Sequence, residues 1–173
     1  IGLVGSEMCI RDRHVTQSDE TPTQVIKDSS HPNSKCYMWV HRSGEFYQER
    51  PVVIYEYQKD RDHQKPLEFY RDYKGILVTD GLQQYHLVDK KLPDVTNANC
   101  WAHARRDFAD AVKAMDKKAP SVVRESIAYQ ALQKIAEFYN ADTELKGLPC
   151  EERLQKRQEK IRPLVEEFFA WVK

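Results

Sequence analysis

The apolar positions fall into two textures along the chain. Up to about residue 100 they come in short runs bounded by turn residues, and beyond it they recur at helical spacing. Cys36-Tyr-Met-Trp-Val-His41 and Val52-Val-Ile-Tyr-Glu-Tyr57 are aromatic and β-branched, as strands on a pleated, half-buried surface are. With Arg42-Ser-Gly-Glu45 turning between them, residues 36–57 read as a hairpin with a loose loop. The segment from Ser18 to Lys27 begins as a turn or strand entry and then alternates weakly. Pro22 restricts it to an edge or a bulge. Asp28 to Ser34, polar and containing Pro32, is expected to be a loop.

Gly75-Ile-Leu-Val-Thr-Asp80-Gly81 organises the first half. Three apolar residues run into one carboxylate, and glycine stops the run, which reads as a buried strand ending in a turn. Asp80 can do two things there. It can shape the turn, since Asp-Gly is a favoured pair, or it can leave the core at the sheet edge and meet solvent or a metal. Around this strand, Pro66 opens a helix over Leu67–Tyr73, a short turn of helix covers Leu82–Leu87, and Val95–Cys100 makes a fifth strand.

From Trp101 onward Phe108, Ala111, Val112 and Met115 keep helical spacing. Ser121 is expected to cap a helix carrying Ile127, Ala131, Leu132, Ile135, Phe138 and Tyr139, ended by Gly147 and Pro149. A third helix begins at Glu151 and carries Leu154, Ile161, Leu164, Val165, Phe168 and Val172. These stripes are most simply core. The order predicts a mixed five-stranded sheet with helices packed on it, followed by a helical hairpin.

Composition narrows the partners. Lys+Arg and Asp+Glu are equal at 27 each, so the formal net charge is zero, and the mean hydropathy is −0.74. A self-sufficient nucleic-acid binder usually carries a basic excess, so any grip on DNA must come largely from elsewhere. No apolar run is long enough to cross a bilayer. Cysteines at 9, 36, 100 and 150 lack disulfide-scaffold spacing and fit a reducing, cytoplasmic setting. Residues 1–13 show neither periodicity nor caps, and Glu7, Arg11, Asp12 and Arg13 exclude a signal peptide. The run Leu3 to Asp12 resembles the translation of a synthetic adapter used to prepare sequencing libraries. Residues 1–13 are therefore expected to be a non-native scar, arbitrarily placed.

Asp19 and Asp80 are the candidate metal-binding pair. Metal-assisted phosphoryl transfer needs hard oxygen ligands, and two carboxylates on neighbouring strands could hold one ion between them. Cys100-x-x-His103 with Cys36 and His41 suggests zinc instead. Zinc pairs are usually closely spaced, however, and the odd separation of Cys36 and His41 points them to opposite faces of a strand. Arg105 and Arg106 on the next helix are either solvated or phosphate contacts. The final helix interleaves Arg153, Lys156, Arg157, Lys160 and Arg162 with acids, the pattern of an exposed, internally paired face.

Taken together, Asp19-Glu-Thr-Pro, Tyr37-Met-Trp-Val, Thr79-Asp-Gly, Tyr85 and Cys100-Trp-Ala-His-Ala-Arg-Arg-Asp-Phe108 resemble the transposase family of insertion sequence 66. The likeness continues into Glu152-Arg-Leu-Gln-Lys-Arg-Gln-Glu159 and Arg162-Pro-Leu164. It implies a ribonuclease-H-like core over residues 14–117 and a helical insertion over 118–173. It also implies an Asp-Asp-Glu motif that binds Mg²⁺ or Mn²⁺ for DNA strand cleavage and strand transfer, with self-association of the full-length protein in a bacterial cytoplasm. Asp19 matches the first family carboxylate and Asp80 the second. The third, a Glu in an Asn-x-x-Glu-Arg setting, has no match, so this chain is expected to be a truncated and catalytically inactive fragment. His103 falls in the family motif and, with Arg105 and Arg106, is a candidate DNA contact. The alternatives are a noncatalytic helical DNA-binding or assembly module, a zinc-stabilised adaptor, and a degenerate remnant.

Overall fold

The computed structural model describes residues 9–25, 35–44, 50–62 and 64–173. The expected loop from Asp28 to Ser34 lies outside these residues. Contacts divide the chain into two compact units, Ile1–Cys100 and Trp101–Lys173, which are taken in turn.

The first unit is built on five strands: β1 (Val15–Thr23), β2 (Cys36–Ser43), β3 (Val53–Gln58), β4 (Gly75–Thr79) and β5 (Val95–Asn99). Their order in the sheet is β3-β2-β1-β4-β5. β1 and β3 run antiparallel to β2, whereas β4 runs parallel to both β1 and β5. This is the ribonuclease-H-like mixed sheet that the sequence implied. Pro22 sits near the end of β1 opposite Tyr37, past Gln17, the last residue of β1 paired with β4.

Side chains alternate across the sheet. Trp39 and His41 of β2, Ile54 of β3, Leu77 of β4 and Val95 of β5 are buried. Two helices supply much of the remaining core: α1 (Gln64–Phe69) with the turn after it, through Phe69, Tyr70 and Tyr73, and α2 (Gln83–Lys91), through Tyr85 and Val88. Helix α1 starts before the expected Leu67 and ends before Tyr73. Asp62 accepts the Gln64 amide at 3.0 Å, and Pro66 falls in the first turn, where no intrahelical donor is needed. Gly75 enters β4 at φ 152°, where an added Cβ would lie 2.5 Å from the His14 carbonyl oxygen.

Of residues 1–13, expected to be arbitrarily placed, residues 1–8 lie outside the described ones. The rest is packed: Ile10 is fully buried in the sheet unit's core, and Arg11 pairs with Asp72 at 3.4 Å.

The second unit comprises α3 (Trp101–Lys113), α4 (Pro120–Glu125), α5 (Ile127–Glu144), α6 (Cys150–Lys156), a π-helical turn (Arg157–Ile161) and α7 (Arg162–Val172). Ala131, Ile135 and Phe138 of α5 and Phe168 of α7 are its buried centre, with Trp101, Phe108, Leu164 and Val165 against them. Trp101 is only half-buried and stacks edge-on against Phe138, ring centres 4.7 Å apart, and Phe168 at 5.5 Å.

Two expectations need correction here. The long helix is capped by Ser126, not Ser121. The Ser126 hydroxyl accepts the Tyr129 amide at 3.2 Å, whereas Ser121 lies inside the short α4. The final helix runs unbroken from Cys150 to Val172, but it is not α-helical throughout. Pro163 has no amide hydrogen for the Glu159 carbonyl and its ring crowds that oxygen. The preceding turn widens instead, and the Arg162 amide reaches back to the Arg157 carbonyl in a π-type bond.

Candidate metal-binding edge

The parallel pairing of β1 and β4 matches Val15 with Ile76, Thr16 with Leu77 and Gln17 with Val78. Aligned residues of parallel strands point to the same face, about 4.8 Å apart between strands. The pairing ends with Gln17 and Val78, two residues before Asp19 on β1 and before Asp80 just past β4. Within β1, Asp19 alternates with the inward-facing Ser18 and Glu20 and so takes the opposite face.

Asp19 is exposed, and its Oδ1 accepts the Glu20 amide at 2.9 Å. Asp80 is half-buried just beyond β4. Its Oδ1 accepts the Leu82 amide at 3.0 Å, and Gly81 takes φ 86°, so the carboxylate does shape the turn. The turn and ligand readings of Asp80 are thus compatible: one oxygen fixes the loop, and the loop fixes the carboxylate. Thr79 braces the same end, donating to the Asn97 side chain at 2.9 Å.

The residue that pattern reading missed is Glu20. It shares its face with Thr16 and Ser18, three polar residues that all turn inward. No amphipathic signal marks such a strand. The Glu20 side chain is fully buried and accepts hydrogen bonds from Tyr85 Oη at 2.7 Å, Gln84 Nε2 at 3.0 Å and the Arg61 guanidinium, whose Nε lies at 2.7 Å. Burial, with the neighbouring Glu20 charge, pushes the Tyr85 phenol up, so it stays a donor. Burial opposes the charge on Arg61. The Glu20 hydrogen bond and the charges of Glu20, Tyr37 and Asp80 outweigh it and raise the guanidinium pKa.

Behind this lies a second buried polar group. Ser18 Oγ lies 3.1 Å from His41 Nδ1, which lies 2.9 Å from Tyr70 Oη. The imidazole stacks on Phe69 at 3.7 Å, and its Nε2 faces Glu56 at 3.6 Å. That contact holds the Glu56 carboxyl below its ordinary range, the His41 hydrogen bond being the largest cause. Cys36 lies on the other face, where Tyr57 Oη donates to its sulfur at 3.0 Å. Cys36 and His41 therefore do not converge. No group of three His, Cys, Asp or Glu side chains able to hold a metal occurs among the described residues.

His103, Arg105 and Arg106 belong to the second unit, in the first turns of α3. Both arginines are exposed and the histidine is half-buried. Several cations of the last two helices are engaged by acids: Lys156 with Glu159, Arg157 with Asp142, and Arg162 with Glu166. No helix among the described residues is long and apolar enough to cross a membrane.

The chain is 35% identical over 129 residues to the uncharacterized protein y4hP of Sinorhizobium fredii (strain NBRC 101917 / NGR234), covering 70% of this chain and 23% of that protein. It is 26% identical over 166 residues to y4qI of the same strain, covering 90% of this chain and 29% of that protein. It thus spans about a quarter of the length of these relatives. No solved structure matches it. The model of the family described as "Transposase IS66 family" matches residues 7–173, nearly the whole chain, and the protein accordingly belongs to the IS66 transposase family.

Proposed function

We propose that the chain is part of the catalytic core of a DNA transposase, in which Asp19 and Asp80 hold a divalent metal ion where the middle of β1 passes the end of β4. The observation that supports this reading is the parallel pairing of β1 with β4, which ends at Gln17 and Val78, two residues before each carboxylate. The donor set suits the ion. Mg²⁺ and Mn²⁺ favour carboxylate oxygen completed by water, and Asp19 is open to solvent. When bound, such an ion lowers the pKa of water and stabilises charge on phosphoryl oxygens.

The protein's own contribution is placement. The Leu82 amide holds Asp80 by one oxygen, and the Thr79–Asn97 bond ties the end of β4 to β5. Asp19 is carried on the neighbouring strand rather than on a loop. A DNA phosphodiester approaching this edge would meet two ligands whose backbone positions are already set.

An Asp-Asp-Glu site needs a third carboxylate, and this chain contains no Asn-x-x-Glu-Arg sequence to supply it. The 173 residues alone are therefore expected to bind the ion weakly and not to cut DNA. Two measurements test the reading. Mn²⁺ titration of the chain should show a site that Asp80→Asn and Asp19→Asn each abolish. A plasmid-nicking assay with Mg²⁺ or Mn²⁺ should remain blank. Unchanged Mn²⁺ binding in both variants would remove the basis of the metal site. Nicking by the wild-type chain, lost in Asp80→Asn, would overturn the inactivity.

A further inference from the structure

We propose that Arg61 is a DNA-phosphate contact at this edge, pre-oriented by the buried Glu20; the proposal rests on the reading of Asp19 and Asp80 as the metal-binding pair.

A fully buried carboxylate is an uneconomical way to stabilise a fold. An apolar residue of similar volume often serves as well, because desolvation of the charge offsets much of the ion-pair attraction. Glu20 nevertheless accepts from three residues on two different segments: Arg61 in the loop after β3, and Gln84 and Tyr85 on α2. What this arrangement achieves is orientation. Nε and one terminal nitrogen of Arg61 are turned inward onto Glu20, while the side chain keeps 38% of its surface exposed. The guanidinium also sits over the Tyr37 ring at 5.6 Å, which further limits its rotamers.

The location is the informative part. Glu20 follows Asp19 directly in β1. Gln84 and Tyr85 lie in the first turn of the helix that follows the Asp80 turn, and Tyr85 Oη also lies 3.3 Å from Ser18 Oγ, the residue before Asp19. The anchor of Arg61 is thus made from the residue next to Asp19 and from the helix that follows the Asp80 turn. A guanidinium fork matches phosphate oxygens.

The test is fluorescence anisotropy of a labelled DNA duplex with the 173-residue chain in Mn²⁺, over a salt series. Arg61→Gln should weaken binding by about fivefold or more at low salt and reduce the log–log salt slope by about one. Arg61→Lys should restore the slope and only part of the affinity. The double variant Glu20→Gln/Arg61→Gln leaves no buried charge unpaired and should stay folded, though less stable than wild type, yet lose the same affinity. Wild-type affinity and slope in that folded double variant would overturn the proposal, as would the absence of any DNA binding by the wild-type chain. Mn²⁺ titration separates the two readings. Loss of the metal in Asp80→Asn with DNA binding unchanged in Arg61→Gln removes Arg61 alone. Loss of DNA binding in Arg61→Gln with Mn²⁺ binding unchanged in Asp80→Asn and Asp19→Asn removes the carboxylate pair alone.

Discussion

Arg157 closes on Asp142 through two near-parallel hydrogen bonds, Nε to Oδ1 at 2.6 Å and the terminal nitrogen to Oδ2 at 3.0 Å. Asp142 is on the last turn of α5, and Arg157 opens the π-helical turn, so the pair clips the two arms of the helical hairpin together. The hydrogen bond from Arg157 holds the Asp142 carboxyl below its ordinary value, against a smaller opposing effect of burial.

A depressed carboxylate pKa contributes stability that is fully present above the unfolded value and is lost as pH falls through the folded one. Asp142→Asn should therefore lower stability by about 1 kcal/mol near pH 7, the pair being partly solvent-screened. The difference from wild type should shrink below about pH 4 and vanish once Asp142 is protonated in the folded chain. Urea unfolding followed at several pH values checks this. A gap that stays constant down to pH 2 would contradict it.

The cap of α5 offers a comparison between two serines. Ser126→Ala removes the acceptor of the Tyr129 amide and should cost about 1 kcal/mol. Ser121→Ala touches no cap and is exposed inside α4, so it should fall within about 0.5 kcal/mol of wild type. Thermal unfolding of the two variants side by side decides which serine starts the helix.

These serines also show where the chain's own pattern informs and where it does not. The strands at 36–43, 53–58, 75–79 and 95–99 were legible because apolar and β-branched runs are bounded by turn residues. The helical stripes were legible from their period. Pro120-Ser121 looks like a helix start and is one, but of a six-residue helix, and only the packing of Ala131, Ile135 and Phe138 defines the longer helix behind it. The π-helical turn follows from Pro163, whose effect falls on the turn before it and leaves the apolar spacing intact. At the site, the acidic pair was marked by Asp80-Gly81 and by family likeness. Glu20 stands in the Asp19-Glu-Thr-Pro run, but nothing gave it a role, since its partners Arg61, Gln84 and Tyr85 are distant in sequence and a polar strand face carries no period to read.

Gly75 is a sharper test of the entry to β4. At φ 152° a side chain is strained, and its Cβ would lie 2.5 Å from the His14 carbonyl oxygen and 2.9 Å from Tyr73 Oη. That carbonyl already accepts the Ile76 amide at 2.8 Å, so it cannot withdraw without breaking the start of the β1–β4 pairing. Gly75→Ala should destabilise the sheet unit by roughly 2–3 kcal/mol. Gly147, at φ 100° but with no atom within 4 Å of an added Cβ, should cost only about 1 kcal/mol as alanine. Equal losses for the two would mean that backbone conformation, and not the clash, sets the cost.

Glu20 allows charge and hydrogen bonding to be separated. Glu20→Ala strips three donor groups of their acceptor at once, among them the Arg61 charge and the buried Tyr85 hydroxyl. By the usual cost of breaking a buried pair from one side, it should lose about 3–5 kcal/mol. Glu20→Gln keeps one oxygen to accept but brings an amide that must face donors, so it should fall between wild type and alanine. Adding Arg61→Gln to Glu20→Gln removes the unpaired cation, and the pair of changes should recover part of the loss. A double-mutant cycle by urea unfolding reads this coupling directly. If the double variant loses as much stability relative to wild type as the two single changes added together, Glu20 and Arg61 act independently, and the buried carboxylate is not what holds the guanidinium in place.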